Sequence, residues 1–246
     1  MPATLMGSAR RVAAALLQTL LPAACALCGG RCDGVLCAPC RAQYLGGSRI
    51  RCTRCANPLP DGSSGACGRC LSHPPAFDAT LAAADYAAPV DQLLLQLKFG
   101  GRLALAPLFA QLLRDALLER PDFILPELLC PVPLGPTRLA ERGFNQALEI
   151  ARPLARSLGV KLYPTLAVRV VDTPAQSRTG LQERQRNMRH AFVVAPETAW
   201  LVRGRHIGIV DDVLTSGQTA NELAAAFKRY GAARVSNLVF ARTPPH

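Results

Sequence analysis

The sequence predicts an α/β fold, a parallel-sheet domain preceded by a small cysteine-rich region, and two observations carry that reading. From residue 77 onward, short apolar runs of strand length alternate with longer segments whose leucines recur at i, i+3 and i+4, the pattern of helices crossing between parallel strands. Before residue 71, nine of the ten cysteines crowd into a stretch with few large aliphatic side chains. The chain has 246 residues, 50% hydrophobic and 18% charged, which excludes a wholly disordered protein and suits one medium domain plus a small one. No apolar run is long enough to predict a transmembrane helix.

Taken in order, Val12, Leu16, Leu17, Leu20 and Leu21 recur at helical spacing, so residues 1–21 read as an amphipathic N-terminal helix stopped by Pro22. Such a helix fits packing on the next region or a peripheral membrane contact. Residues 22–72 hold four CxxC pairs: Cys25/Cys28, Cys37/Cys40, Cys52/Cys55 and Cys67/Cys70. Two intervening residues let both thiolates of a knuckle reach one ion, and two knuckles supply the four soft ligands of tetrahedral zinc. Consecutive pairing makes two ribbons, each closed by four cysteines with no open position, hence two structural zinc ions. Arg10 and Arg11 ahead of an apolar stretch imitate an export signal, but Cys25 already belongs to the first knuckle and close CxxC repeats suit metal better than disulfides. A reducing cytoplasm is the expected location. Cys32 and Cys130 read as free or buried thiols.

After a Pro-rich joint at residues 72–76, the α/β domain is expected over 76–246. Residues 77–87 read as a strand, and 89–97 and 103–118 as helices split by Gly100 and Gly101. Residues 128–134 suit a buried parallel strand, 145–158 a helix closed by Gly159, and 161–170 a further strand before a polar stretch at 172–190.

Residues 206–220 carry the chemistry. An apolar strand runs into Asp211 and Asp212, then a small hydroxyl-rich loop, then a helix with Leu223, Phe227 and Tyr230 on one face. Loop amides and a helix N-terminus cradle a phosphate dianion, with the Thr215, Ser216 and Thr219 hydroxyls as added donors. Two acids at the carboxyl end of a strand lie where α/β sheets bind ligands and can hold vicinal hydroxyls. Phosphate and diol together describe a ribose 5-phosphate. The loop is not GxxxxGK[ST], so a nucleotide P-loop is excluded.

The segment Val210-Asp-Asp-Val-Leu-Thr-Ser-Gly-Gln-Thr219 resembles the phosphoribosyl pyrophosphate (PRPP) signature of type I phosphoribosyltransferases, with Gly208 the one departure. Residues 97–101 (LKFGG), 131–147 and 176–192, with the knuckles, narrow the resemblance to the ComF family of competence-associated proteins, over residues 20–242. The resemblance implies that Asp211 and Asp212 face the ribose hydroxyls and that Val213, Leu214, Thr215, Ser216, Gly217, Gln218 and Thr219 hold the 5-phosphate. Arg138, Arg142, Gly143, Asn145 and Gln146 would form a pyrophosphate-facing loop, and Arg178, Arg184, Asn187 and Arg189 a loop closing over PRPP. Asp211, Asp212, Arg184 and Arg189 would be the catalytic set, with magnesium carried by PRPP. Lys98 suits a phosphate contact or a helix cap equally.

Two functions stay open on the sequence. One is PRPP binding in the service of DNA uptake, with phosphoribosyl transfer to an acceptor as its enzymatic form. The other is a non-catalytic factor that contacts single-stranded DNA and other competence proteins through ribbons and basic loops. The net charge of +11, about +7 with eight thiolates on two zinc ions, lies mainly in residues 138–205, which net +7. Only 5% of residues are aromatic, so stacking platforms for DNA bases are scarce.

Overall fold

The computed structural model describes residues 23–45, 49–170 and 191–244, so the expected N-terminal helix and the polar stretch at 172–190 lie outside the described residues. The chain divides into two units, Met1–Gly47 and Ser48–His246, and the division falls between the two ribbons. In the first unit, β1 (Ala23–Ala24) and β2 (Arg31–Cys32) form an antiparallel hairpin, followed by α1 (Ala38–Leu45). The second unit opens with the second pair of knuckles, whose last cysteine lies in α2 (Gly68–Ser72), and continues without division into the α/β domain.

That domain is built on β3 (Ala79–Asp85), α3 (Val90–Lys98), α4 (Leu105–Leu118), β4 (Leu128–Pro131), α5 (Pro136–Arg142), α6 (Gln146–Leu158) and β5 (Lys161–Leu162). After these come β6 (Ala167–Arg169), β7 (Phe192–Val194), β8 (His206–Leu214), α7 (Gln218–Arg229) and β9 (Arg234–Arg242). Five strands form one sheet in the order β3-β9-β8-β4-β5, and every pairing is parallel. Both faces are covered, as a parallel sheet requires. Phe109 of α4 stacks on Phe240 of β9 with ring centroids 3.8 Å apart on one face. On the other, Leu223 and Phe227 of α7 join Ile207, Ile209, Val235 and Val239 in one buried cluster.

The sequence pattern and the structure differ at three places. Residues 161–170 are two strands in different sheets, because Pro164 has no N–H to continue a ladder and a turn closes from Leu166 N–H to the Tyr163 carbonyl. The second of them, β6, pairs antiparallel with β7, a strand the pattern reading did not separate from the polar stretch before it. Strand β9 also went unassigned, although it fills the sheet between β3 and β8. Its Ser236 and Asn237 interrupt the apolar run. Both are buried, Ser236 against the His206 ring at 2.9 Å and Asn237 donating to the Thr80 hydroxyl at 3.0 Å.

Gly208, the departure from the signature, has a steric reason. It sits opposite Leu129 on β4, and a Cβ built on it would lie 2.5 Å from Leu129 Cδ2 and 2.8 Å from Pro126 Cγ. The neighbours have taken the volume that a larger residue would fill. Gly208→Val should therefore destabilise the protein by about 1–3 kcal/mol in urea unfolding, and adding Leu129→Ala should recover part of that loss. A Gly208→Val protein as stable as wild type would show that the space is not closed.

Candidate phosphate site and cysteine centres

The chain leaving β4 turns toward β5 on one side, whereas the chain leaving β8 turns toward β9 on the other. Their adjacent carboxyl ends are thus a topological switch point, where a crevice opens in α/β sheets. β4 stops at Pro131, in register with Val210, while β8 continues to Leu214 along β9. Asp211 and Asp212 occupy the first two positions of that overhang.

Asp212 is 3% exposed. Its carboxylate lies 2.6 Å from Lys98 Nζ and accepts the Val213 N–H at 2.9 Å. Lys98, at the end of α3, thereby meets the buried acid. Asp211 is only partly buried, and its carboxylate accepts the Asp212 N–H at 2.9 Å. Burial, and then the charge of Asp212, hold the Asp211 carboxyl well above the usual carboxylate range. One acid is therefore fixed by a cation, and its half-exposed neighbour favours the protonated form.

Beyond Leu214, Thr215 and Ser216 are exposed, and Gly217 takes a φ of 80°, a left-handed turn that glycine enters without strain. The Ser216 hydroxyl accepts the Gln218 N–H at 3.3 Å, and Gln218 and Thr219 open the 12-residue helix α7. Loop amides and the positive end of the helix dipole therefore gather at residues 215–219.

The loop after β4 is more ordered than the turn expected there, since Pro136–Arg142 is helical and Gly143 closes it with a φ of 76°. Asn145 caps α6, its side-chain oxygen accepting Ala147 N–H at 2.9 Å and its amide nitrogen donating to the Val132 carbonyl at 3.0 Å. Gln146 is buried and accepts from Arg142 at 2.5 Å, while the Arg142 guanidinium lies 5.4 Å over the Phe99 ring. Arg138 is half-buried on α5. Arg178, Arg184, Asn187 and Arg189 lie outside the described residues.

The sulfurs of Cys25, Cys28, Cys37 and Cys40 lie within 4.8 Å of one another, as do those of Cys52, Cys55, Cys67 and Cys70. Sulfurs 2.3 Å from a tetrahedral zinc are about 3.8 Å apart, and the Cys28–Cys37 and Cys55–Cys67 separations are 3.8 and 3.7 Å. Burial opposes ionisation of Cys25, but N–H donors from Cys28, Cys37 and Leu27 outweigh it and bring the thiol down to about 6. Cys52 is brought to about 7 in the same way, against its burial, by the N–H groups of Cys55, Cys67 and Arg54. All ten cysteines are free, and the two four-cysteine sets fit two zinc ions. Cys32 donates to the Gly34 carbonyl, and burial pushes Cys130 up to about 12, so neither joins a metal set.

A family model described as "Double zinc ribbon domain" matches residues 16–71. The protein named DNA utilization protein YhgH from Salmonella typhi is 37% identical over 196 residues, covering 78% of this chain and 84% of that protein. Competence protein F of Haemophilus influenzae is 30% identical over 200 residues, covering 80% and 85%. The chain belongs to the ComF family. Among solved structures, the family member overlaps a glutamine PRPP amidotransferase from B. subtilis with a TM-score of 0.34 and 15% identity, over 55% of this chain and 25% of that one. It overlaps a hypoxanthine phosphoribosyl transferase from Trypanosoma cruzi with a TM-score of 0.33 and 13% identity, over 56% and 62%. These are partial overlaps, and the fold of this ComF protein rests on its own strand order and register.

Two outcomes follow from the acid pair. Lys98→Met leaves Asp212 buried without its cation and should destabilise the protein by about 3 kcal/mol in chemical unfolding. Adding Asp212→Asn should return most of that. For Asp211 the native state holds its proton to higher pH than the unfolded chain, so stability attributable to this group falls as pH rises above the unfolded value of 3.8. Asp211→Asn should raise Tm by about 2–4 °C at pH 8, with the gain shrinking as the pH is lowered to 5. An unchanged gap across that range would place the Asp211 carboxyl in an ordinary environment.

Proposed function

We infer that this ComF-family protein binds PRPP or a related ribose phosphate at the carboxyl end of β8, and that this binding serves DNA utilization in a reducing cytoplasm. The observation that carries it is the order of groups at the switch point: an acid fixed by Lys98, a half-exposed acid beside it, and at once a glycine turn leading into a helix N-terminus. Residues 215–219 would hold the 5-phosphate, and Asp211, with Asp212 beside it, would accept from the ribose hydroxyls. Arg138 and Arg142 stand on the neighbouring loop for the pyrophosphate. Magnesium would be held mainly by phosphate oxygens and water, neutralising charge on the pyrophosphate. The names DNA utilization protein and competence protein borne by its relatives support the DNA-related role.

With an acceptor present, the site would support displacement at C1. The acceptor's lone pair forms the new bond while the bond from C1 to the pyrophosphate oxygen breaks, and the pyrophosphate leaves with that electron pair. Positioning and charge stabilisation would supply the rate.

A second reading has its own observation. Arg152, Arg156 and Lys161 line a groove of about 490 Å³ between α6 and the edge strand β5, two strands from β8, which carries the acids. Three cations along one groove suit the phosphates of a single strand. Calorimetric titration of the zinc-loaded protein with PRPP and magnesium decides the first reading. Binding is expected in wild type and a loss of at least tenfold in Asp211→Asn/Asp212→Asn. No binding in wild type would overturn it. A labelled single strand whose affinity falls steeply with salt and is lost in Arg152→Ala/Arg156→Ala would support the second reading as an independent site.

A further inference from the structure

The second ribbon and the anion cradle share one buried arginine. Arg242, the last residue of β9, is 6% exposed. Its Nε donates at 2.9 Å to the carbonyl of Cys55, a ligand of the second four-cysteine set. Its Nη1 donates to the carbonyls of Leu214 at 3.0 Å, Thr215 at 2.6 Å, and also Thr243. Further bonds tie the second ribbon and the joint after it to the α/β domain. Arg69, between Cys67 and Cys70, reaches the Ser216 carbonyl, and Ala76 N–H donates to the Asn221 side chain on α7 at 2.7 Å. Thr80 N–H donates to the Thr53 carbonyl at 3.2 Å, and Arg49 and Arg51 both pair with Asp85, each at 2.8 Å.

In a trans peptide the C=O and the following N–H point in opposite directions. Holding the Leu214 and Thr215 carbonyls toward Arg242 therefore turns the amides of Thr215 and Ser216 away from it, to the side where an anion would sit. A guanidinium is the one side chain that is always charged and carries several donors in a fixed plane, so it can hold a knuckle carbonyl and two loop carbonyls at once. The knuckle carbonyl is placed by the fold of residues 52–55 around their metal set, since a ribbon with so small a core depends on zinc for its shape.

We propose that Arg242 is a positioning residue through which occupancy of the second four-cysteine set fixes the phosphate-binding geometry of residues 214–219. This rests on the reading that those residues bind a phosphate monoester, and it makes zinc loss or thiol oxidation at the second ribbon a means of weakening that binding. Linkage runs both ways, so a phosphate ligand on the loop raises the zinc affinity of this set.

The test compares backbone amide exchange in the full-length, zinc-loaded protein with that in Cys67→Ser, which removes one ligand of the second set, and in Arg242→Lys, which keeps the charge but not the fork. PRPP affinity with magnesium is measured on the same samples. Cys67→Ser should speed exchange at least tenfold at Gln218 and Thr243, whose N–H groups donate to the Ser216 hydroxyl and the Leu214 carbonyl, and weaken PRPP at least tenfold, while amides of Leu128–Cys130 in the same sheet keep their protection. Arg242→Lys should show the same local loss with both zinc ions retained, and chelating its zinc should add little more. Exchange at Gln218 and Thr243 that ignores zinc loss would overturn the proposal. So would acceleration shared equally by Leu128–Cys130, the mark of general loosening. A wild-type protein that does not bind PRPP would remove the phosphate reading alone, because the exchange comparison reads the loop without a ligand.

Discussion

Strand β8 stays paired to β9 for residues 211–214 after β4 has ended, and the two acids and the loop that follows them take their positions from that overhang. An edge opened inside a parallel sheet has to be covered or used. Here Lys98 covers one part of it by pairing with Asp212, and Asp211 keeps the other part available. The overhang also delivers the chain to Gly217, whose left-handed turn sends it into α7 with loop amides and helix dipole converging on one point. Acids and cradle are four residues apart because the strand that carries them has outrun its neighbour.

That same overhang sets what β9 must be. Leu214 and Arg242 are partners in register, so the last residue of β9 lies beside the start of the loop. A long apolar side chain there would take the charged donor from the Thr215 carbonyl and leave the Leu214 carbonyl with the Thr243 N–H alone. Arg242 satisfies them and extends to Cys55. The second ribbon is accordingly part of the α/β unit rather than of a separate cysteine-rich module, and the division of the chain falls before it, between residues 47 and 48.

Much of this was legible in the sequence where chemistry and local order coincide. CxxC spacing is a local constraint, so the two metal sets could be assigned residue by residue, and an acid pair followed by a small hydroxyl-rich loop is equally local. The long helices α4 and α6 announced themselves by leucine and alanine periodicity. Tertiary consequences were not legible. Asn145 reads as a phosphate-loop residue, and that its side chain caps α6 and holds the Val132 carbonyl is visible only in three dimensions. Lys98 offered two roles in sequence, and its pairing with Asp212 was not legible because that partner lies 114 positions later in the numbering. Arg242 sits in an apolar strand near the end of the described chain with no neighbour in sequence to explain it. β9 was missed because Ser236 and Asn237 break its pattern, although both find partners inside the core.

The charge of the chain takes on meaning from this placement. Bases at the anion cradle and bases in the Arg152–Arg156–Lys161 groove are different devices, one converging on a point beside two acids and one spread along a surface. Amide chemical shifts of isotope-labelled, zinc-loaded protein titrated with ribose 5-phosphate would separate them most directly. The account predicts that the largest shifts fall on residues 215–219, with smaller ones at 211 and 212. Shifts centred on residues 152–162, or none anywhere, would contradict it.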